Sequence, residues 1–294
     1  MINDVSFPGA ADTIRGRLYT HDEPRPAVVM AHGFSCTAFG MTADIYAAAF
    51  HEAGFAVLLF DHEGFGVSDG PRGVINRWMQ LRGYEQAVAF ARAHPSVSTV
   101  ALWGDSFSGA VAIALAAFDP SIAALVVQVP ASGTTYGSPD EGGQFEALRE
   151  FARDADIGAS RVGDPHPVVA LSPEDVEPLL TDPSAVAWFG EYGMRPGSTW
   201  RNEARMGSLR APAPFTMSIL APRVACPSLW VVADDDVMPG AEPFVSREAA
   251  AAAGGELMRI EGGHFGLLWE ESPLLERVVD AEVEFLRRVL LPAR

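Results

Sequence analysis

Trp103-Gly104-Asp105-Ser106-Phe107-Ser108-Gly109 lies where one kind of pattern stops and another starts. Residues 99–103 before it form a short apolar run. That length and composition suit a strand buried on both faces. Residues 107–118 after it have the composition and length of a helix. A serine held between a strand and a helix by so tight a turn has an exposed hydroxyl, and the turn demands small residues two places before and two places after it. Gly104 meets the first demand and Ser108 the second, although glycine is the usual residue there. Ser106 is therefore the expected nucleophile. Three other readings stay open. Ser108 also has small neighbours but falls inside the first helical turn. Asp105 could act as a carboxylate nucleophile, but the small residues centre the turn on Ser106. Ser106 could also simply cap the helix.

On both sides of this turn, strands and helices alternate. Residues 5–7 and 13–19 alternate in polarity around a Pro-Gly and predict an antiparallel hairpin. Buried strands are expected at 27–31, 55–60, 99–103, 123–129, 228–232 and 257–260. Helices are expected at 42–53, 76–94, 107–118, 242–253 and 273–291. Strands separated by helices of this length imply right-handed crossovers and a mostly parallel, doubly wound α/β sheet. Between residues 132 and 223 the rhythm breaks. No buried strand is evident there, and ten prolines interrupt short helical pieces. So long a structureless loop is improbable in a compact domain. The expectation is a core built from 1–131 and 224–294, with 132–223 forming a mostly helical cap inserted between strands.

A serine hydroxyl needs a base, and the base needs an orienting acid. His264, in Glu261-Gly262-Gly263-His264-Phe265, follows the last strand and so lies at the carboxyl edge of the sheet, where open α/β sheets place their sites. It is the expected base. Three aspartates follow strand 228–232. Asp235, four residues before Pro239, is the expected acid, with Asp236 and Asp234 as alternatives. An oxyanion needs two backbone N–H groups. Phe107, next to the nucleophile, offers one, and Phe34, in the turn His32-Gly33-Phe34, the other. His32 is expected to brace that turn, and Cys36 to be buried beside it. The cap contains Trp188, Phe189, Tyr192 and Trp200. Trp188, Tyr192 and Trp200 are expected to bind an apolar acyl substrate; packing within the cap is the alternative.

The chain has 294 residues, 48% of them hydrophobic, and a formal net charge of −17. That charge repels phosphate backbones and anionic lipid, which argues against nucleic-acid or membrane partners. The N-terminus has no basic segment followed by an apolar run, and two distant cysteines make no disulfide framework, so a cytoplasmic location is expected. The loop from Asp61 to Gly70 lacks the spacing of a dinucleotide fingerprint, and its acidic and histidine residues suggest no metal site. Neither a cofactor nor a metal is expected, and oligomeric state is not readable.

His32-Gly33-Phe34, Asp61-His62-Glu63-Gly64-Phe65-Gly66-Val67-Ser68-Asp69-Gly70, the Ser106 turn, the loop from Asp235 to Pro239, and Gly262-Gly263-His264-Phe265 occur in an order that resembles the α/β-hydrolase superfamily. The Trp-Gly-x-Ser-Phe-Ser-Gly form, with Trp200-Arg201-Asn202-Glu203, is similar to hydrolases related to X-Pro dipeptidyl-peptidases and to polyketide-releasing hydrolases and transferases. Glu63 departs from the pattern, since relatives often have a basic or neutral residue there, and it is expected to alter polarity near the pocket mouth. The resemblance implies acyl transfer to water through an acyl-enzyme, without a cofactor. A carboxylic ester or thioester is the expected substrate. Acyl transfer, or amide or C–C cleavage at the same site, is the alternative, and a non-catalytic small-ligand receptor is a third.

Overall fold

The computed structural model describes residues 1–291. Strands β1 (Ile2–Pro8) and β2 (Thr13–Tyr19) form the expected antiparallel hairpin, with Phe7 opposite Ile14. Next come β3 (Arg25–Ala31), helix α1 (Ala43–Glu52), β4 (Ala56–Asp61), a two-residue strand β5 (Val74–Ile75) and helix α2 (Arg77–Ala93). The turn at Ser106 joins β6 (Val97–Asp105) to α3 (Ser106–Phe118), and β7 (Leu125–Gln128) follows. Beyond the cap lie β10 (Ser228–Ala233), α7 (Pro243–Ala252), β11 (Glu256–Ile260) and α8 (Pro273–Leu290).

The main sheet has eight strands in the order β1-β2-β4-β3-β6-β7-β10-β11. From β4 to β11 every pairing is parallel; β1 with β2 and β2 with β4 are the antiparallel pairings, so β2 runs against the other strands. The central strands are unbroken apolar runs because both of their faces are covered. In β3, Val28 and Met30 pack toward α1 and α8, whereas Val29 and Ala31 pack toward α2, α3 and α7. The sheet is thus doubly wound, and the carboxyl ends of β3, β6, β10 and β11 meet along one edge. Helix starts are sharply defined: the Asn76 side chain accepts from Trp78 N at 3.0 Å at the head of α2, and Ser272 Oγ accepts from Leu274 N at 3.2 Å ahead of Pro273 in α8.

The segment 132–223 is less helical than expected. It contains α4 (Gln144–Asp154), β8 (Arg161–Val162), α5 (Pro183–Tyr192), β9 (Arg205–Ser208) and α6 (Met217–Leu220), joined by irregular chain. Its prolines lack the N–H a helix interior needs, so no helix there runs far. β9 lies between β5 and β8 in a small second sheet, which pins the segment to the core. α4 does not cover the strand ends. It packs beside α2, where Arg82 Nη2 donates to Ala152 O at 2.9 Å and Ala155 O at 3.0 Å. α5 does lie over the site, with Trp188 Nε1 donating to Leu268 O at 2.9 Å. Among the described residues, no helix is long and apolar enough to cross a membrane.

Candidate active site

Ser106 has φ 49°, a left-handed conformation that costs a residue with a side chain roughly 1 kcal/mol or more and is tolerated where the surroundings enforce it. The surroundings here are tight. A Cβ on Gly104 would stand 2.5 Å from Ser108 O, and one on Gly109 would stand 2.9 Å from Pro130 Cβ. Ala131 N–H donates to Ser106 O at 2.8 Å and ties the turn to the chain leaving β7. The crossing of β6 into α3 thus requires small residues, and it leaves the Ser106 hydroxyl partly exposed.

Ser108 has a different task. It is fully buried, its Oγ donates to His32 O, and His62 Nε2 lies 2.9 Å from Ser108 Oγ. With the hydroxyl proton committed to His32, His62 must be the donor. Burial, reinforced by nearby His32, holds the His62 pKa well below the ordinary imidazole value and keeps the ring neutral. His32 braces its turn as expected: its Nδ1 lies 3.0 Å from Gly33 O and its Nε2 accepts from His62 N at 3.3 Å. The hydroxyl that replaces the usual glycine therefore links the turns after β3, β4 and β6.

His264 is 4% exposed and stands between two partners. Its Nε2 is 2.9 Å from Ser106 Oγ, and its Nδ1 is 2.6 Å from Asp236 Oδ2. The expectation of Asp235 is corrected. Asp235 is exposed, and its N–H donates to Gly262 O at 3.0 Å, while Asp234 N–H donates to Ile260 O at 2.9 Å. Pairing with the β11 side thus continues past the end of β10, and the chain turns inward only at Asp236. Asp236 Oδ1 accepts from Met238 N at 2.9 Å, which fixes its carboxylate toward the histidine. The carboxylate that meets His264 is therefore three residues before Pro239. Asp234 is occupied by Arg259, whose Nε lies 2.9 Å from its Oδ1.

The Gly33 turn approaches so closely that a Cβ there would stand 3.2 Å from Ser106 Cβ. Phe34 and Phe107 flank the serine from its two sides, and among the described residues neither backbone N–H has an acceptor. Both line a cavity of about 380 Å³ that also contains Ser106 and His264. Cys36 borders it, and burial pushes its thiol well above the usual range, which disfavours the thiolate. Asp105 also borders it. Burial raises its carboxyl to about 7, and its Oδ1 has no hydrogen-bond partner.

Of the three cap aromatics expected to bind substrate, only Trp188 lines this cavity. Tyr192 is one helical turn further along α5. Its ring packs on Trp188 and Trp269, and its hydroxyl accepts from Glu270 N at 2.8 Å. Trp200 stacks on the far side of Phe189, with ring centroids 5.3 Å apart. Both belong to the packing that holds α5 in place. Glu63 likewise does not line this cavity. Its Oε1 accepts from Ala11 N at 2.8 Å and Asp12 N at 2.6 Å, securing the β1–β2 hairpin. Leu179, Leu180, Met206 and Phe215 complete the apolar wall, and Arg77 joins them. Leu179, Leu180 and Phe215 sit in irregular chain and Met206 in the four-residue β9, none with a readable periodicity. Arg77 did leave a sequence signal: a cation at the first position of a helix, where the macrodipole disfavours it.

A model of the family described as serine aminopeptidase, S33, matches residues 22–255. The thiohydrolase aneE of Aspergillus aculeatus is 30% identical over 302 residues, covering 94% of this chain and 90% of its own. The quorum-quenching protein AidA of Acinetobacter baumannii is 29% identical, covering 98% and 95%. Among solved structures, the α/β-hydrolase GrgF from Penicillium sp. sh18 superposes over 99% of both chains, with TM-score 0.72 and 24% identity, a likeness of fold.

Proposed function

We infer the reaction from one premise: the chain belongs to the serine aminopeptidase S33 family of α/β-hydrolases. The reading is hydrolysis of a carboxylic ester or thioester through an acyl-enzyme on Ser106. The observation that carries it is the unbroken hydrogen-bonded line from Asp236 through His264 to Ser106, opening onto a largely apolar cavity.

In this reading His264 Nε2 accepts the Ser106 proton as Oγ attacks the acyl carbon. Asp236 holds Nδ1–H toward itself, so the free lone pair of the imidazole is on Nε2, and it stabilises the imidazolium that forms. The negative charge on the former carbonyl oxygen falls between the N–H groups of Phe34 and Phe107, the latter at the positive end of α3. His264 returns the proton to the leaving oxygen or sulfur. A water then repeats the sequence on the acyl-enzyme and releases the acid. A thioester is the favoured substrate class, because the relative aneE is a thiohydrolase and because a thiol leaving group departs with little help from an acid.

The test is turnover of octanoyl-N-acetylcysteamine and p-nitrophenyl octanoate by wild type and Ser106→Ala. Thiol or phenol release by the wild type is expected to fall by at least about 10³-fold in the variant. Equal release by both proteins would remove Ser106 from the reaction.

A further inference from the structure

Arg77, the first residue of α2, lines the same cavity as Ser106 and His264. Its side chain is exposed to solvent, so it stands at the mouth rather than the floor. The protein around it takes enough water away to lower its pKa below the usual guanidinium value, and among the described residues no acidic or hydrogen-bonding partner offsets that loss. Its guanidinium carbon lies 4.8 Å from the centroid of the Phe215 ring, which fixes the plane by cation–π contact and leaves the N–H edge free.

This arrangement is costly in two respects, although counter-ions are available. A cation at the head of a helix opposes the macrodipole. A guanidinium crowded by apolar neighbours and without a counter-ion gives up part of its hydration even where its edge stays in water. Carboxylates are also abundant in this chain, with 38 acidic residues against 21 basic ones. Arginines within the 132–223 segment have found them: Arg195 pairs with Glu191 and Glu270, and Arg205 with Glu203. Arg77 faces the apolar mouth formed with Met206 and Phe215 instead.

We propose that Arg77 is a specificity-determining residue that binds an anionic group on the acyl substrate, so that the cavity takes an apolar acyl chain joined to a carboxylate or a phosphate. The proposal rests on the reading of the cavity as an acyl site. A planar fork with a free edge matches two oxygens of either anion. It also supplies the local positive potential that an anionic substrate needs when approaching a protein of net charge −17. The anion can sit at the far end of the acyl chain or on a phosphopantetheine leaving group, and the two positions are separable.

The experiment measures binding to Ser106→Ala and to Ser106→Ala/Arg77→Gln by isothermal titration calorimetry, so it does not depend on turnover. Three ligands are compared: octanoyl-N-acetylcysteamine, which is neutral; the suberic acid half-thioester of N-acetylcysteamine, with a carboxylate on the acyl chain; and octanoyl-CoA, with phosphates on the leaving group. The readout is the ratio of charged to neutral affinity within one protein, which a general loss of packing does not change. That ratio is expected to fall about 10-fold or more on removal of the guanidinium for at least one charged ligand. A fall for the half-thioester alone puts the anion on the acyl chain, and a fall for octanoyl-CoA alone puts it on the leaving group. An unchanged ratio for both charged ligands overturns the assignment. If the thioesters bind but wild-type protein does not cleave them, the hydrolase reading fails and the role of Arg77 in binding stands.

Discussion

Asp236→Asn is expected to lower kcat about 10⁴-fold, while Asp235→Asn leaves it close to wild type. The two residues are adjacent and chemically identical, so the contrast isolates geometry. Asp236 Oδ2 lies 2.6 Å from His264 Nδ1, and both groups are buried. An asparagine there can turn its amide N–H₂ toward Nδ1. The ring would then carry its proton on Nε2, the nitrogen that must be free to accept from Ser106. The variant should fold, because asparagine keeps the volume and its carbonyl oxygen can still accept from Met238 N. Asp235 is exposed and contributes its backbone rather than its side chain. Steady-state kinetics on the two variants, with circular dichroism to check folding, decides between them. A large loss in Asp235→Asn with little in Asp236→Asn would mean that the loop after β10 is displaced by one residue.

The second large effect concerns stability. Glu282 on α8 is fully buried on the face of the sheet below the site. Its Oε2 accepts from Trp103 Nε1 at 2.9 Å, and its Oε1 has no partner. Burial raises its pKa to about 8, with the Trp103 hydrogen bond opposing the rise and the Asp105 carboxyl adding to it. The native state therefore binds this proton more tightly than the unfolded chain does. The stability it lends is fully present below the unfolded pKa of about 4.5, declines as pH rises, and is gone above about 8. Glu282→Gln keeps an acceptor for Trp103 and has nothing to ionise. Relative to wild type, the variant should gain on the order of 4 kcal/mol between pH 5 and pH 8.5. Thermal denaturation at the two pH values reads this as a Tm difference of several degrees that appears only in alkaline buffer. A difference between the proteins that is the same at both pH values would show that Glu282 holds no such proton.

The residues that were legible in sequence, and those that were not, divide along a physical line. The central strands and the turn at Ser106 were readable because the cause is local: a strand buried on both faces must be apolar throughout, and a tight strand-to-helix turn must have Gly104 before it. His264 was readable because it follows the last strand after two glycines. The acid was not, because the choice among Asp234, Asp235 and Asp236 depends on how far the backbone continues to pair with Ile260 and Gly262, more than 25 residues downstream. The cap was the least legible. Tyr192 and Trp200 have the same character as Trp188, and only their packing on Trp269 and Phe189 turns them away from the cavity. Ser108 shows a further kind of miss. It read as a small residue tolerated in place of glycine, yet its hydroxyl joins His32 to His62 across three strand ends.

The most direct test is covalent. Wild type, Ser106→Ala and Asp236→Asn are incubated with a fluorophosphonate, which reacts only with an activated serine, and intact mass is followed by peptide mapping. Stoichiometric modification of Ser106 in the wild type, none in Ser106→Ala and strongly slowed modification in Asp236→Asn is the expected pattern. Modification of a different serine, or no modification of folded wild-type protein, would contradict the assignment of Ser106, His264 and Asp236 as one reacting unit.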